Sequence, residues 1–206
     1  MSAVFLLSPA HCGGRRAAAL LEPDSSSPLA PALHAGTLTL GEAFSFISGL
    51  YFRGKLAYAR AFGKGCVRPA ILVITPTRGL QQPDWLISRA LIEEFASIDV
   101  GVDAPSYREP LERDVAALAS ALPPEGRVVL LGSIATDKYV DVLAPLVGHR
   151  QQYPPSFIGR GDMSRGALLL RCAARGEELE YVPLSGTAIR CGRRPPPLDR
   201  LAKACD

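Results

Sequence analysis

Three short apolar runs limit what this chain can fold into: Val4-Phe5-Leu6-Leu7, Ile71-Leu72-Val73-Ile74 and Val128-Val129-Leu130-Leu131. Each is too short for a buried helix and is uninterrupted by polar residues, the pattern of a strand covered on both faces in a mostly parallel sheet. Each runs into a turn, at Ser8-Pro9, Pro76-Thr77-Arg78-Gly79 and Gly132-Ser133. Helical patterns lie between them. Strand and helix alternating in short units imply right-handed crossovers and an open sheet with helices on both faces. The expected fold is a single-domain three-layer α/β/α sandwich over residues 1–189, followed by a basic, Pro-rich, extended tail over 190–206.

The intervening segments fill in that frame. Ala17 to Leu21 suits a helical turn or two. Residues 23–37, with Pro23, Pro28, Pro31 and three serines in a row, read as a surface loop. From Gly41 to Phe62 the pattern is helical, with Phe44, Ile47, Tyr51, Tyr58 and Phe62 near one stripe, and Gly49 and Gly54 suggest two helices meeting there. Further helices are expected over Asp84 to Ala96 with Asp84 as N-cap, Glu109 to Leu122, Ser133 to Leu143 and Ser164 to Ala174. A short strand leads to Tyr153, and Glu180 to Leu184 suits an antiparallel edge strand.

Composition removes several functional classes. A chain of 206 residues with 48% hydrophobic content can bury one core. Five cysteines, at positions 12, 66, 172, 191 and 205, include no C-x-x-C pair, so neither a zinc site nor a disulfide framework is expected. The N-terminus lacks a basic segment and its apolar run is too short for a signal peptide, and nothing approaches a membrane span. The chain reads as cytoplasmic, with no membrane partner, no metal and no cofactor. A net charge of +3 is too mild to identify a nucleic-acid binder by itself.

Placement of the charges is more informative. In open parallel sheets, ligands bind beyond the carboxyl ends of the strands. The loops expected there, 8–16, 75–84, 132–138 and 153–166, carry Ser8, His11, Gly13, Gly14, Arg15, Arg16, Arg78, Asp84, Ser133, Lys138, Ser156, Arg160, Asp162 and Arg165. Glycines let backbone N–H groups approach a ligand, and arginines take phosphate oxygens bidentately. These residues point to a phosphate or nucleic-acid backbone as partner. The plain alternative is that Gly-Gly-Arg-Arg and Gly-Arg-Gly-Asp are turns with solvated charges. Neither loop forms a P-loop or a G-x-G-x-x-G. For proton transfer the loops offer His11 and Asp162. Cys12 beside His11 lacks an orienting third group.

Leu6-Leu7-Ser8-Pro9-Ala10, Gly49-Leu50-Tyr51-Phe52-Arg53-Gly54 with Ala59-Arg60-Ala61-Phe62, and Ile74-Thr75-Pro76-Thr77-Arg78-Gly79-Leu80 resemble segments of the YaaA-like peroxide-stress proteins. Leu130-Leu131-Gly132-Ser133, Pro154-Pro155-Ser156 and Arg160-Gly161 are similar in layout to the uracil-DNA glycosylase superfamily. The resemblance implies a glycosylase-like fold and a base bound in a crevice, with DNA favoured over RNA as partner. It further implies N-glycosidic cleavage, with His11 or Asp162 at the scissile bond and the arginines on phosphates. His11 replaces the water-positioning carboxylate or Asn of that superfamily, and Pro154 its motif histidine. Two other readings stay open: a non-catalytic DNA- or RNA-binding stress protein, and an enzyme of nucleoside or sugar phosphates. A closed pocket would favour the metabolite, an open groove the polymer.

Overall fold

The computed structural model describes residues 3–22, 24–63, 68–98, 100, 104–134, 137–184 and 195–196. The apolar runs form the centre of a six-stranded sheet: β1 (Ala3–Leu7), β2 (Ile71–Ile74) and β4 (Arg127–Leu131), with β3 (Leu80–Gln81), β5 (Gln151–Tyr153) and β6 (Val182–Pro183) completing it. The order is β3-β2-β1-β4-β5-β6. β1 pairs in parallel with β2 and β4, and β4 with β5, whereas β3 and β6 are antiparallel edges.

Because successive side chains on a strand point to opposite faces, one run of apolar residues supplies two cores. Phe5, Leu7, Val73, Val129 and Leu131 pack on one face against α3 (Leu40–Ser48), α4 (Leu50–Phe62), α5 (Arg89–Ser97) and α8 (Asp162–Arg175). Val4, Leu6, Leu72, Ile74, Val128 and Leu130 pack on the other against α6 (Pro105–Ala121) and α7 (Asp137–Val147). The three-layer arrangement follows. α1 (Arg15–Leu21) and α2 (Ala30–His34) join the first layer.

Several boundaries differ from the expectation. The segment 23–37 is not wholly a loop: α2 forms within it, with Ala30 and Leu33 buried, Leu33 in the first core, and Pro31 in its first turn. Asp84 caps no helix. Residues 85–87 are extended alongside 38–40, with Leu40 N–H donating to Trp85 O at 2.8 Å and Ile87 N–H to Leu38 O at 2.9 Å, so α5 starts later and is capped by Ser88. Asp84 pairs instead with Arg60 at 3.4 Å, both exposed. α6 begins at Pro105, whose fixed φ suits a first helical position. Ser133 does not open α7, because Ile134 turns into the second core before the helix begins. The extended tail expected over 190–206 lies outside the described residues except at Pro195 and Pro196.

The helical stretch from Gly41 to Phe62 breaks at Gly49, whose φ of 64° closes α3 and opens α4 at low cost only for glycine. α3 is fixed at its start by a capping box. Thr39 Oγ1 accepts from Glu42 N–H, and the Glu42 carboxylate accepts from Thr39 N–H at 2.9 Å. No described helix is long and apolar enough to cross a membrane.

Candidate functional site

From β1 the chain crosses to β2 on one side and later returns to β4 on the other, so the loops leaving β1 and β4 diverge. A crevice is expected where strand order reverses in this way. A cavity of about 450 Å³ lies there. Its wall is built by Ser8, Pro9, His11 and Gly14 after β1, Arg15 and Arg16 of α1, Ile47 and Ser48 of α3, Tyr51 of α4, Ser133 after β4, Tyr139 of α7 and Asp162 of α8. The volume falls within the range of small-molecule sites.

Of the residues proposed from sequence, the fold thus brings together Ser8, His11, Gly14, Arg15, Arg16, Ser133 and Asp162. Arg15 and Arg16 are exposed, and among the described residues neither has a carboxylate partner. Arg16 Nη1 donates to Phe46 O at 3.4 Å. Asp162, with a side chain 69% exposed, stands 3.5 Å from Arg165 Nη1.

Other arginines of the sequence reading serve the protein itself. Arg165 is buried, donates from Nε to Phe157 O at 3.2 Å and sits over the Phe157 ring. Arg160 donates to Ser156 O at 3.0 Å and to Ser164 Oγ at 3.2 Å, tying the loop 156–164 to itself. Arg78 pairs with Glu94 at 2.5 Å and lies outside the crevice wall. Gly13 also lies outside it: a Cβ there would come within 3.1 Å of the His11 ring, so this glycine makes room for the imidazole. Lys138 lines a neighbouring hollow of about 350 Å³, which His11 and Tyr139 share with the crevice. The Ser156 hydroxyl is buried with no hydrogen-bond partner among the described residues.

Behind Ser8 lies a buried group not anticipated from sequence. Lys55, on α4, is 1% exposed. Its Nζ lies 2.6 Å from Ser8 O and 2.9 Å from Ser8 Oγ, and 4.4 Å from the centre of the Tyr51 ring. Burial pulls Lys55 down to about 7, with Asp162 opposing the shift and Arg165 adding to it. Tyr139 lines the crevice together with Ser8. Burial pushes its phenol up to about 12, while the contact with Ser8 works in the opposite direction. The Tyr51 hydroxyl is buried facing Arg165 without a hydrogen bond of ordinary geometry, and burial raises its pKa.

One signal in the sequence could have identified Lys55. It stands four residues after Tyr51 and three before Tyr58, on the same stripe as the core aromatics of α4, and a lysine on such a stripe must be buried. Cys12 is also buried, which pushes its thiol up to about 12. Among the described residues no three of His, Cys, Asp or Glu cluster as a metal site would require. Comparison of the chain with protein-family models, curated proteins and solved structures finds no match.

Proposed function

We propose that this protein binds nucleic acid and takes one nucleotide into the crevice in the manner of the uracil-DNA glycosylase superfamily. The observation carrying this reading is the placement of Arg15 and Arg16, cations without carboxylate partners among the described residues, on a crevice that does not close. Arg16, Ile47 and Ser48 also line an open groove of about 990 Å³ that continues past Phe46, Gly49, Arg53 and Met163. A metabolite would need only the crevice. A strand can use both, with phosphates on Arg16 and Arg53 and an apolar surface at Phe46 and the 67% exposed Met163 for an unstacked base.

Within the crevice, the unsatisfied Tyr51 hydroxyl suits the polar edge of a base, since buried hydroxyls without partners are uncommon. Asp162 lines the same wall and can orient a water toward a glycosidic carbon, with His11 opposite as a proton donor or acceptor. Preference for DNA over RNA rests on the resemblance.

Labelled oligonucleotides containing uracil, hypoxanthine or xanthine test both parts of the proposal. Binding should weaken steeply between about 50 and 200 mM salt. Base release should leave an alkali-labile abasic site. Affinity insensitive to salt would overturn backbone contact, and bound oligonucleotide without abasic product would overturn the glycosidase. Mononucleotides bound as tightly as oligonucleotides would reassign the crevice to a phosphorylated metabolite.

A further inference from the structure

We propose that Ser8, on the crevice wall, and Lys55, behind it, form a nucleophile and base pair, with Ser8 Oγ attacking the phosphorus of a phosphate ester held by Arg15 and Arg16. The phosphate class rests on the reading of the crevice given above, whereas the pair itself stands on its own geometry.

A lysine almost wholly removed from water is costly unless an ion pair or a set of hydrogen bonds compensates it. Among the described residues Lys55 has no carboxylate at ion-pair distance. Its polar contacts are the Ser8 carbonyl and the Ser8 hydroxyl, at 2.6 and 2.9 Å. As an ammonium Lys55 donates to both, and the Ser8 hydroxyl turns to Leu131 O at 3.5 Å; once neutral, Lys55 still donates to the carbonyl and its lone pair can accept from the nearer hydroxyl.

Asp162 and Arg165 of α8 act on Lys55 in opposite directions, and the Tyr51 and Phe52 rings of its own helix, at 4.4 and 4.9 Å, favour the charged form against burial. With burial dominant, the amine is neutral above about pH 7. Tyr139 of α7 lines the same crevice as Ser8. Gly132 leaves space for Ser8, since a Cβ there would lie 3.0 Å from Ser8 Cβ. Ser8 lines the crevice while Lys55 lies behind it, so the order from core to solvent is base, nucleophile, then arginines.

The step balances without a further reagent. As the Oγ–P bond forms, the Ser8 proton passes to Lys55 Nζ. The P–O bond to the leaving group breaks on the side of phosphorus away from Ser8, and the departing oxygen takes a proton from solvent. Water then attacks phosphorus and returns a proton to solvent, and Ser8 Oγ departs with the proton held on the Lys55 ammonium, leaving inorganic phosphate or a phosphomonoester. Arg15 and Arg16 offset charge on the non-bridging oxygens.

The test uses the full chain with an alkyl fluorophosphonate, which reports nucleophilic serine, and with p-nitrophenyl phosphate and bis(p-nitrophenyl) phosphate, which separate monoesterase from diesterase activity. Peptide mapping should place a single adduct on Ser8. Its rate should rise with pH through about 7. Ser8→Ala should abolish labelling, and Lys55→Met should slow it on the order of 100-fold or more while the thermal melt stays cooperative. If Lys55→Met does not fold, the native pH profile decides, and a rate independent of pH overturns the pair. So does a Ser8 that stays unlabelled, or one labelled equally fast in folded Lys55→Met. Labelling of Ser8 in a protein that binds no oligonucleotide would keep the pair and overturn the nucleic-acid reading. Salt-sensitive oligonucleotide binding with an inert Ser8 would do the reverse.

Discussion

Gly54 of α4 and Gly166 of α8 meet backbone to backbone. A Cβ on Gly54 would lie 2.6 Å from Gly166 O, and one on Gly166 would lie 2.6 Å from Leu50 O. Neither glycine has a positive φ, so what is required here is space and not conformational freedom. The contact sets how closely α8, which carries Asp162, approaches the helix that carries Lys55. Gly54→Ala or Gly166→Ala should therefore destabilise the fold by about 1–3 kcal/mol, the usual range for overpacking. Urea unfolding should show a lower midpoint with an unchanged slope. A loss below about 0.5 kcal/mol would contradict so tight a contact.

The buried Lys55 makes stability depend on pH. Its pKa falls from 10.5 to about 7 on folding, so between these values the unfolded chain binds one more proton than the folded chain. Stability must then rise with pH across that window and lose this contribution as pH falls through about 7. The limiting slope is about 1.4 kcal/mol per pH unit. Compared with wild type, Lys55→Met should gain most at and below neutral pH, and its advantage should shrink toward pH 9.5. Denaturant unfolding of both proteins at several pH values measures this, and parallel profiles would exclude a depressed Lys55.

Arg15 and Arg16 should act through phosphate contact. Arg15→Ala and Arg16→Ala are each expected to weaken oligonucleotide binding similarly across sequences and to reduce the salt slope by about one. Arg160→Ala should instead act through stability, since that side chain is hydrogen-bonded to Ser156 O and Ser164 Oγ. Anisotropy titrations in two salts, paired with thermal melts, separate the two effects.

Cys12 should be inert in the native state. It is 4% exposed and its thiol is raised to about 12 by burial, so little thiolate exists at pH 8. Iodoacetamide followed by peptide mapping should modify Cys12 only after denaturant is added. Rapid native alkylation at that position would show that the loop after β1 opens.

The α/β class was legible because three uninterrupted apolar runs can be satisfied only by strands covered on both faces. The crevice was partly legible for a related reason. Ser8, His11, Arg15, Arg16 and Ser133 follow strands, and parallel pairing of β1 with β4 starts their loops side by side at one end of the sheet, flanking the crevice that opens between them. Helix starts were less legible where tertiary pairing overrode local capping, as at Asp84, whose neighbours 85–87 hydrogen-bond to 38–40.

The sheet, its two cores and the end of the sheet at which polar residues gather follow from the strand period and chain direction, and so are written in the order of residues. The use of each charge is not, because it depends on packing. Arg15 and Arg16 face the crevice, while Arg160 and Arg165, equally basic in sequence, are engaged by Ser156, Ser164 and Phe157. Lys55 meets Ser8 across 47 residues of chain. A charge takes its chemistry from its nearest neighbours and its access to water, and both are set by packing between segments remote in sequence.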